Sequence, residues 1–576
     1  MTMKNIKRNY IPIVVAAIIL TSCGGLKKMQ DKANTVSFNV TPNPLEMHGG
    51  EVKVAIKGKF PEKYFNKNAV LTLTPTLKYA TGETELDPLV LQGENVKANN
   101  QVIKYTGGDF NYSSKVAYND AMRRSDLVIK MKAQIKDKTP IDIAAPKVAD
   151  GIITTPLLVK IDPKVIYYSD KYVRTTSQSV AAKIYFDIMK YNIKPTELKK
   201  DEIKNLESTL KNLSNEERKQ LREALILAYA SPDGDINKIN TPLSKNRGTA
   251  AQDYFVKALK QAKLTQQQQK DLLKVTSTPE DWEGFKQLLE TSDIRDKELI
   301  LRVLSMYSDP EVREKEIRNI AAAFQEIAEK ILPKLRRSEI KLNIDVIGYS
   351  DEELISLAQS KPENLGLEEL LRAASLINDV DTKLAIYQKA FDKYPNDSRA
   401  INNIGCIYMS QRKFAEAQNA FEKARSLNDD NVVKNNLGAA LLAQKQFDKA
   451  EELLTAAMGA GDEVNYNLGI IKIVKGDYKT AVTYFGGKPS FNTALAQLLN
   501  GEGDKALATL NQLGEVDDAH VYYLKAIISA RQGKEEGVMN NLRTAIAKNS
   551  ALKNYAKDDV EFIKYFNNEA FSAIVK

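Results

Sequence analysis

One loop of this 576-residue chain carries residues whose types and spacing could hold a charged ligand. It runs from Ala228 to Phe255 and contains Ser231-Pro232-Asp233-Gly234, then Asn240-x-x-Leu243-Ser244-x-x-Arg247. A guanidinium fork takes a carboxylate through two parallel hydrogen bonds, so Arg247 is a candidate anion receiver. Ser244 stands three residues earlier, in place to cap the helix carrying Arg247, and a helix N-terminus favours anions. Two structural readings stand beside this one. Asp233-Gly234 is also ordinary turn chemistry, and Arg247 could equally pair with a carboxylate of its own fold.

Little other chemistry is on offer. His48 and His520 are the only histidines, Cys23 and Cys406 the only cysteines, and Trp282 the sole tryptophan. A histidine zinc site, a Cys–His nucleophile pair or a Ser–His–Asp triad needs more partners, or needs the two histidines to meet across most of the chain. No Gly-rich phosphate loop, CxxC pair or EF-hand pattern occurs. The expectation is a non-catalytic protein without metal or cofactor. The acids Asp351-Glu352-Glu353 and Glu368-Glu369 read as helix starts, where carboxylates meet the dipole favourably. Lys334-Leu335-Arg336-Arg337 reads as a helix end, with contact to a phosphate or lipid headgroup as a second reading. The 83 basic against 74 acidic residues leave a formal +9, which at this length describes a solvated surface and implies no nucleic-acid partner.

The N-terminus indicates where the chain lives. Lys4, Lys7 and Arg8 precede the apolar run Ile11 to Leu20, too short to span a bilayer but suited to a signal peptide. Leu20-Thr21-Ser22-Cys23 resembles the lipobox of bacterial lipoproteins, which implies cleavage after residue 22 and acyl chains on Cys23. Gly24 and Gly25 follow, where an acidic inner-membrane retention signal would stand, so the resemblance implies the outer membrane, facing the periplasm.

The elements that position these residues follow from periodicity. Residues 1–22 are the signal peptide and 23–35 a lipidated linker. From 36 to 165, the runs VSFNV, EVKVAIKG, AVLTLTPTLKY, VIKY, DLVIKMKAQI and PLLVKI alternate apolar with polar, predicting an immunoglobulin-like β-sandwich. From 178 to 350 the order becomes β-α-β-α: AAKIYFDIMKYNI and REALILAYA as strands, and helices with Ile203, Leu206, Leu210 and Leu213 on one stripe and then from Leu243 onward. A helical insertion spans about 265–309, with Gln266 to Gln269 at a solvated helix start and Thr278-Pro279 as N-cap and first residue of a helix. Pro310 to Leu335 reads as one long amphipathic helix, and Glu339 to Tyr349 as a late strand.

Residues Ala182 to about Leu259 resemble the OmpA-like domain that tethers outer-membrane proteins to peptidoglycan, on the strand ALILAYA, the turn at Ser231 and Asn240-x-x-Leu243-Ser244-x-x-Arg247. The resemblance implies that Arg247 receives the carboxylate of the peptide stem and that Asn240 shapes the loop. An aspartate should receive the stem ammonium, but Ser231 falls in its slot, with Asp233 and Asp235 two and four residues later.

From 365 to 550 a repeat appears. Gly405, Gly438 and Gly469 each have an alanine twelve positions later, Ala417, Ala450 and Ala481, with Phe421 and Leu454 four residues further on in the first two. Weaker copies include Ala494, Ala506 and Leu510, then Ala526, Val538 and Leu542; Tyr387, Ala390 and Pro395 mark an earlier unit. This pattern resembles the tetratricopeptide repeat, which implies a curved α-solenoid whose concave face takes a protein partner. Residues 551–576 form a helical cap. The inner helices carry no evident basic or aromatic ladder. The whole reads as a multidomain α+β envelope lipoprotein, tethered by acyl chains and peptidoglycan, or an accessory lipoprotein of an assembly or secretion complex whose OmpA-like domain has lost that ligand.

Overall fold

The computed structural model describes residues 21–263 and 272–576. Most of the signal segment and the glutamine run Gln266 to Gln269 lie outside the described residues. The chain divides into two compact units: residues 1–168 with 391–576, and residues 169–390.

In the first unit, strands between Ser37 and Ile153 form a five-stranded and a seven-stranded sheet. The strand Glu51–Phe60 alternates strictly, burying Val52, Val54, Ile56 and Phe60. These side chains meet Leu71, Leu73, Leu127 and Ile129 of the other sheet in one core. A helix, Thr21–Asp31, adds Leu26 and Met29 to that core.

The expected final strand PLLVKI is not a strand. Thr155–Leu158 is a short 3-10 turn, and residues 159–168 run extended without joining a sheet. The sandwich therefore ends near Ile153 rather than at 165. The apolar residues of this run, Leu158, Val159 and Ile161, pack against the solenoid core instead of a sheet, so their apolar character did not mark a strand.

The solenoid of this unit is built from paired helices: Ser398–Ser410 with Phe414–Leu427, Asn431–Ala443 with Phe447–Ala456, and Asp462–Val474 with Tyr478–Phe485. Two further pairs, Phe491–Leu499 with Gly503–Gln512 and Ala519–Arg531 with Glu535–Lys548, lead into short helices from Leu552 to Val575. Gly405, Gly438 and Gly469 let each pair close. A Cβ on them would lie 2.5 Å from the Phe421 ring, 2.8 Å from Leu454 and 2.7 Å from the Phe485 ring. The glycine and the large side chain sixteen residues later are thus one packing unit. Ala417, Ala450 and Ala481 are fully buried in the same contacts.

The second unit holds a four-stranded sheet in the order Thr175–Tyr185, Arg337–Ile347, Lys219–Tyr229, Leu273–Thr278. The late strand sits centrally, antiparallel to both neighbours. Leu273–Thr278 pairs parallel to Lys219–Tyr229, so Thr278 ends a strand and caps nothing. Asp281 is the N-cap instead, accepting from the Gly284 N–H at 2.9 Å. Helices Asp201–Leu213 and Thr241–Gln261 cover the sheet through Leu206, Leu210, Ala251 and Phe255. The first strand starts and ends earlier than expected, leaving Phe186 to Asn192 as a loop.

The single long helix expected from Pro310 is three: Pro310–Asn319, Ala321–Lys330 and Leu332–Leu335. Pro333 cannot donate to the preceding turn and its ring crowds the carbonyl four residues back, consistent with the break at Ile331. Ile317, Ile327 and Ile331 still bury together with Phe285, Leu289 and Ile300.

Gly405→Ala tests the repeat packing. Overpacking costs typically about 1–3 kcal/mol, against a helix-propensity gain of about 1 kcal/mol. A lowered denaturant midpoint is expected, and a double-mutant cycle with Phe421→Leu should show positive coupling between the two sites.

Candidate functional site: the solenoid groove

The inner helices of successive repeats present an asparagine two positions before Gly405, Gly438, Gly469 and Ala494. All four are buried, and each takes both main-chain groups of one residue in the extended segment. Asn403 accepts from the Tyr168 N–H and donates to its carbonyl, both at 2.9 Å. Asn436 does the same for Ile166 at 2.7 and 2.7 Å, and Asn467 for Lys164 at 2.7 and 2.8 Å. Asn492 holds Lys160 at 2.9 and 2.8 Å.

A carboxamide can do this because it carries an acceptor and two donors side by side, as a neighbouring strand would. The clasped residues 164, 166 and 168 alternate, so their intervening side chains face elsewhere. Held residues fall in sequence as the repeats rise, and the segment therefore runs antiparallel to the solenoid. It is a strap laid along the groove.

A second row fixes the first. Asn436 Nδ2 donates to Asn402 Oδ1 at 2.8 Å, Asn467 Nδ2 to Asn435 Oδ1 at 3.1 Å, and Asn402 and Asn435 each reach a strap carbonyl. Beneath Ile166 lies Cys406, its Sγ 3.5 Å from the Ile166 carbonyl. Burial pushes that thiol well above its ordinary range.

Side chains secure both ends. The Tyr168 hydroxyl donates to Asp430. Lys160 pairs with Asp518 and lies 4.6 Å from the Phe491 ring centroid. Burial raises the Asp518 carboxyl, but the Lys160 ammonium more than reverses this and leaves it below its usual range. Asp162 accepts from the Tyr466 hydroxyl at 2.8 Å. At the strap's start, Thr155 donates to Glu561, which Arg531 also grips through Nε and Nη2. Beside it Asp559 is buried and accepts from the Tyr523 hydroxyl at 2.7 Å and the Glu561 N–H at 3.0 Å. Burial, with Glu561 next to it, pushes Asp559 up to about 7 despite those bonds.

The loop with Arg247 is organised differently from the sequence expectation. Thr241–Gln261 begins three residues before Ser244, whose Oγ donates within the helix to the Thr241 carbonyl at 3.1 Å and caps nothing. Arg247 is fully buried. Its Nε donates to the Lys190 carbonyl at 3.0 Å, Nη1 to that of Tyr229 at 3.0 Å, and Nη2 to that of Asp187 at 3.3 Å. Burial, with Arg336 nearby, pushes it down to about 10, so it remains cationic at neutral pH.

Neither half of the expected stem site is presented. Ser231 bonds to Asp233, and Arg336 holds both, through Nε to Ser231 at 3.2 Å and Nη2 to Asp233 at 3.0 Å. Asn240 is buried and donates to the Gly234 carbonyl at 2.7 Å. Arg337 pairs with Asp281 at 2.6 Å; the basic cluster at 334–337 thus has both guanidiniums satisfied internally, which displaces the headgroup reading. The acidic helix starts are caps: Glu353 accepts from the Ser350 N–H and Glu369 from the Gly366 N–H, each at 2.7 Å. His48 pairs with Glu46, and His520 lies beside Asp518. Among the described residues no group of three or more His, Cys, Asp or Glu side chains could hold a metal ion.

The asparagine ladder is the feature that sequence reasoning missed. The recurring Asn-x-Gly was the available signal. It is uncharged and non-aromatic, so a search for basic or aromatic ladders passes over it.

The family model for the tetratricopeptide repeat matches residues 398–431, and this chain thus carries that repeat. Similar solved structures include YrrB, described as a TPR protein with an unusual peptide-binding site: 18% identical, covering 28% of this chain and 92% of that one, with a TM-score of 0.24. A tetratricopeptide repeat protein from Parabacteroides merdae is 14% identical over 39% of this chain and 89% of its own, TM-score 0.28. PilW, a type IV pilus biogenesis factor, is 16% identical over 39% and 89%, TM-score 0.23. No curated protein matches the chain. Repeats of this class serve protein–protein interaction.

Two outcomes are expected here. Asn436→Ala leaves the Ile166 N–H without its partner and its carbonyl with Asn402 and Cys406 alone, at about 1–3 kcal/mol for the orphaned N–H. Alkylation of Cys406, slow in the native protein, should accelerate in that variant, because the thiol lies under the strap. The second concerns pH. Asp559 binds its proton more tightly folded, at about 7, than unfolded, at 3.8. Its stabilising contribution is therefore complete below that lower value and is lost as pH rises through the higher one. Between these limits the stability of Asp559→Asn relative to wild type should climb with pH, measured by urea unfolding.

Proposed function

We propose that the protein is a non-catalytic scaffold of the bacterial cell envelope, an accessory lipoprotein of a membrane-associated assembly. Acyl chains on Cys23 hold it, with Gly24 and Gly25 directing it to the outer membrane on the periplasmic side. The solenoid organises a protein partner. The α/β domain resembling the OmpA-like family acts as a packing module rather than a peptidoglycan tether.

The observation that carries this choice is the state of Arg247. A stem carboxylate would have to replace three main-chain carbonyls around a guanidinium with no exposed surface. The Ser231–Asp233 pair that should meet the ammonium is already engaged by Arg336. The groove supports the scaffold reading differently: its amide ladder is filled by the chain's own strap, so partners meet the remaining solenoid surface unless the strap is displaced.

Radiolabelled palmitate should enter the wild-type chain and not Cys23→Ser. The mature chain should remain in the supernatant when purified peptidoglycan is sedimented. Retention on the polymer would restore the tether reading and end this one.

A further inference from the structure

The strand Thr175–Tyr185 lies at the edge of its sheet, paired on one side with Arg337–Ile347. The direction of its backbone groups can be read from the bonds around it. The Lys183 N–H is taken by Glu202 at 3.2 Å and that of Tyr185 by Glu197 at 3.0 Å, while Phe186 turns inward to the Arg336 carbonyl. Odd-numbered residues therefore point their main-chain groups away from the sheet. At 183 and 185 acidic side chains from the next helical segment cover them.

At Thr175, Ser177, Ser179 and Ala181 nothing does so among the described residues. Exposed edges are usually blunted by lysine, proline, a bulge or a covering element. Thr175-Thr176-Ser177-Gln178-Ser179-Val180-Ala181 has no charge and no proline, and its register with the neighbouring strand is unbroken. Neither face is hidden: residues 175–179 and 181 are exposed on alternating sides, and the helix Asp201–Leu213 buries only the part beyond Val180. One strand is thus half covered and half left open.

We propose that this open half is a self-association edge, where a second copy of the chain adds the same strand antiparallel about a two-fold axis through Gln178. The pairing follows from the directions above. Ser177 meets Ser179 and Thr175 meets Ala181 as hydrogen-bonded pairs, and Gln178 meets its own copy as the non-hydrogen-bonded pair. A run without charge is compatible with its own copy, since no like charges come face to face, and the pairing sets the Ser177 and Ser179 hydroxyls opposite one another. Arg174 and Lys183 flank the run and would face Ala182 and Val173, not one another. The isologous arrangement closes on itself, so it yields a dimer and not a fibre.

The test uses the full mature chain carrying Cys23→Ser, with Cys406 buried. Non-hydrogen-bonded residues lie about 4.5 Å apart between Cα atoms, within disulfide reach. Gln178→Cys should therefore form a covalent dimer under mild oxidation, and light scattering should show a reversible dimer in the parent chain. Ser179→Pro removes an outward N–H that the sheet itself does not use and should weaken association by about tenfold or more, with unchanged circular dichroism. Gln178→Lys, which sets two cations on the axis, should do the same. A parent chain that stays monomeric at its highest soluble concentration overturns the proposal. So does a dimer that Ser179→Pro and Gln178→Lys leave intact and Gln178→Cys fails to cross-link.

Discussion

A buried main-chain N–H or carbonyl needs a partner, and the strap from Lys160 to Tyr168 has no strand beside it to supply one. Four asparagine side chains take that role. Each of the eight bonds is worth only about 0.5–1.5 kcal/mol net, but leaving such a group dry costs more than making the bond gains. The dependence runs both ways. Asn403, Asn436 and Asn467 are buried inside the repeats, and without the strap their amides would keep one another but lose the main-chain donor and acceptor that complete their bonding. Strap and solenoid are thus one folding unit, although the sequence places well over two hundred residues between them.

Arg247 obeys the same constraint with the roles reversed. Here the buried group is a cation and the partners are carbonyls of Asp187, Lys190 and Tyr229. No carboxylate bonds to it, but burial and the neighbouring Arg336 lower it only to about 10, with Asp233 nearby working against them, so it stays charged at neutral pH. Its effect is to fix the loop after the first strand against the end of the third in sheet order. The residue that by type and spacing most suggested ligand chemistry is a structural fastener.

How far this was legible depends on the kind of signal. The repeats were open to reading because Gly405 and Phe421, or Gly438 and Leu454, are local packing pairs that recur at a fixed offset. Ile203, Leu206, Leu210 and Leu213 marked their helix for the same reason. The strand at Arg337–Ile347 was visible by alternation, although its central place in the sheet was not. Long-range partnership left weaker traces. PLLVKI read as a strand, yet its first residues form a 3-10 turn and Leu158, Val159 and Ile161 pack on the solenoid, with Lys160 alone of this run clasped by an asparagine. Arg247 carried the spacing of a receiving arginine, while the carbonyls that occupy it belong to residues with no signature of their own.

These particulars limit where a partner can meet the solenoid. A peptide entering the groove would compete with a strap pinned at four residues, braced by Lys160 with Asp518 and Tyr168 with Asp430, and tethered so that its local concentration cannot fall. Only a segment offering equal main-chain complementarity and better side chains at those two positions would prevail. Among the described residues the strap's asparagine bonds go to the inner helices, which leaves the outer helices to a partner. The amide ladder is sequence-tolerant by chemistry, because it reads only main chain; what makes its occupant specific is that the chain supplies one already in place.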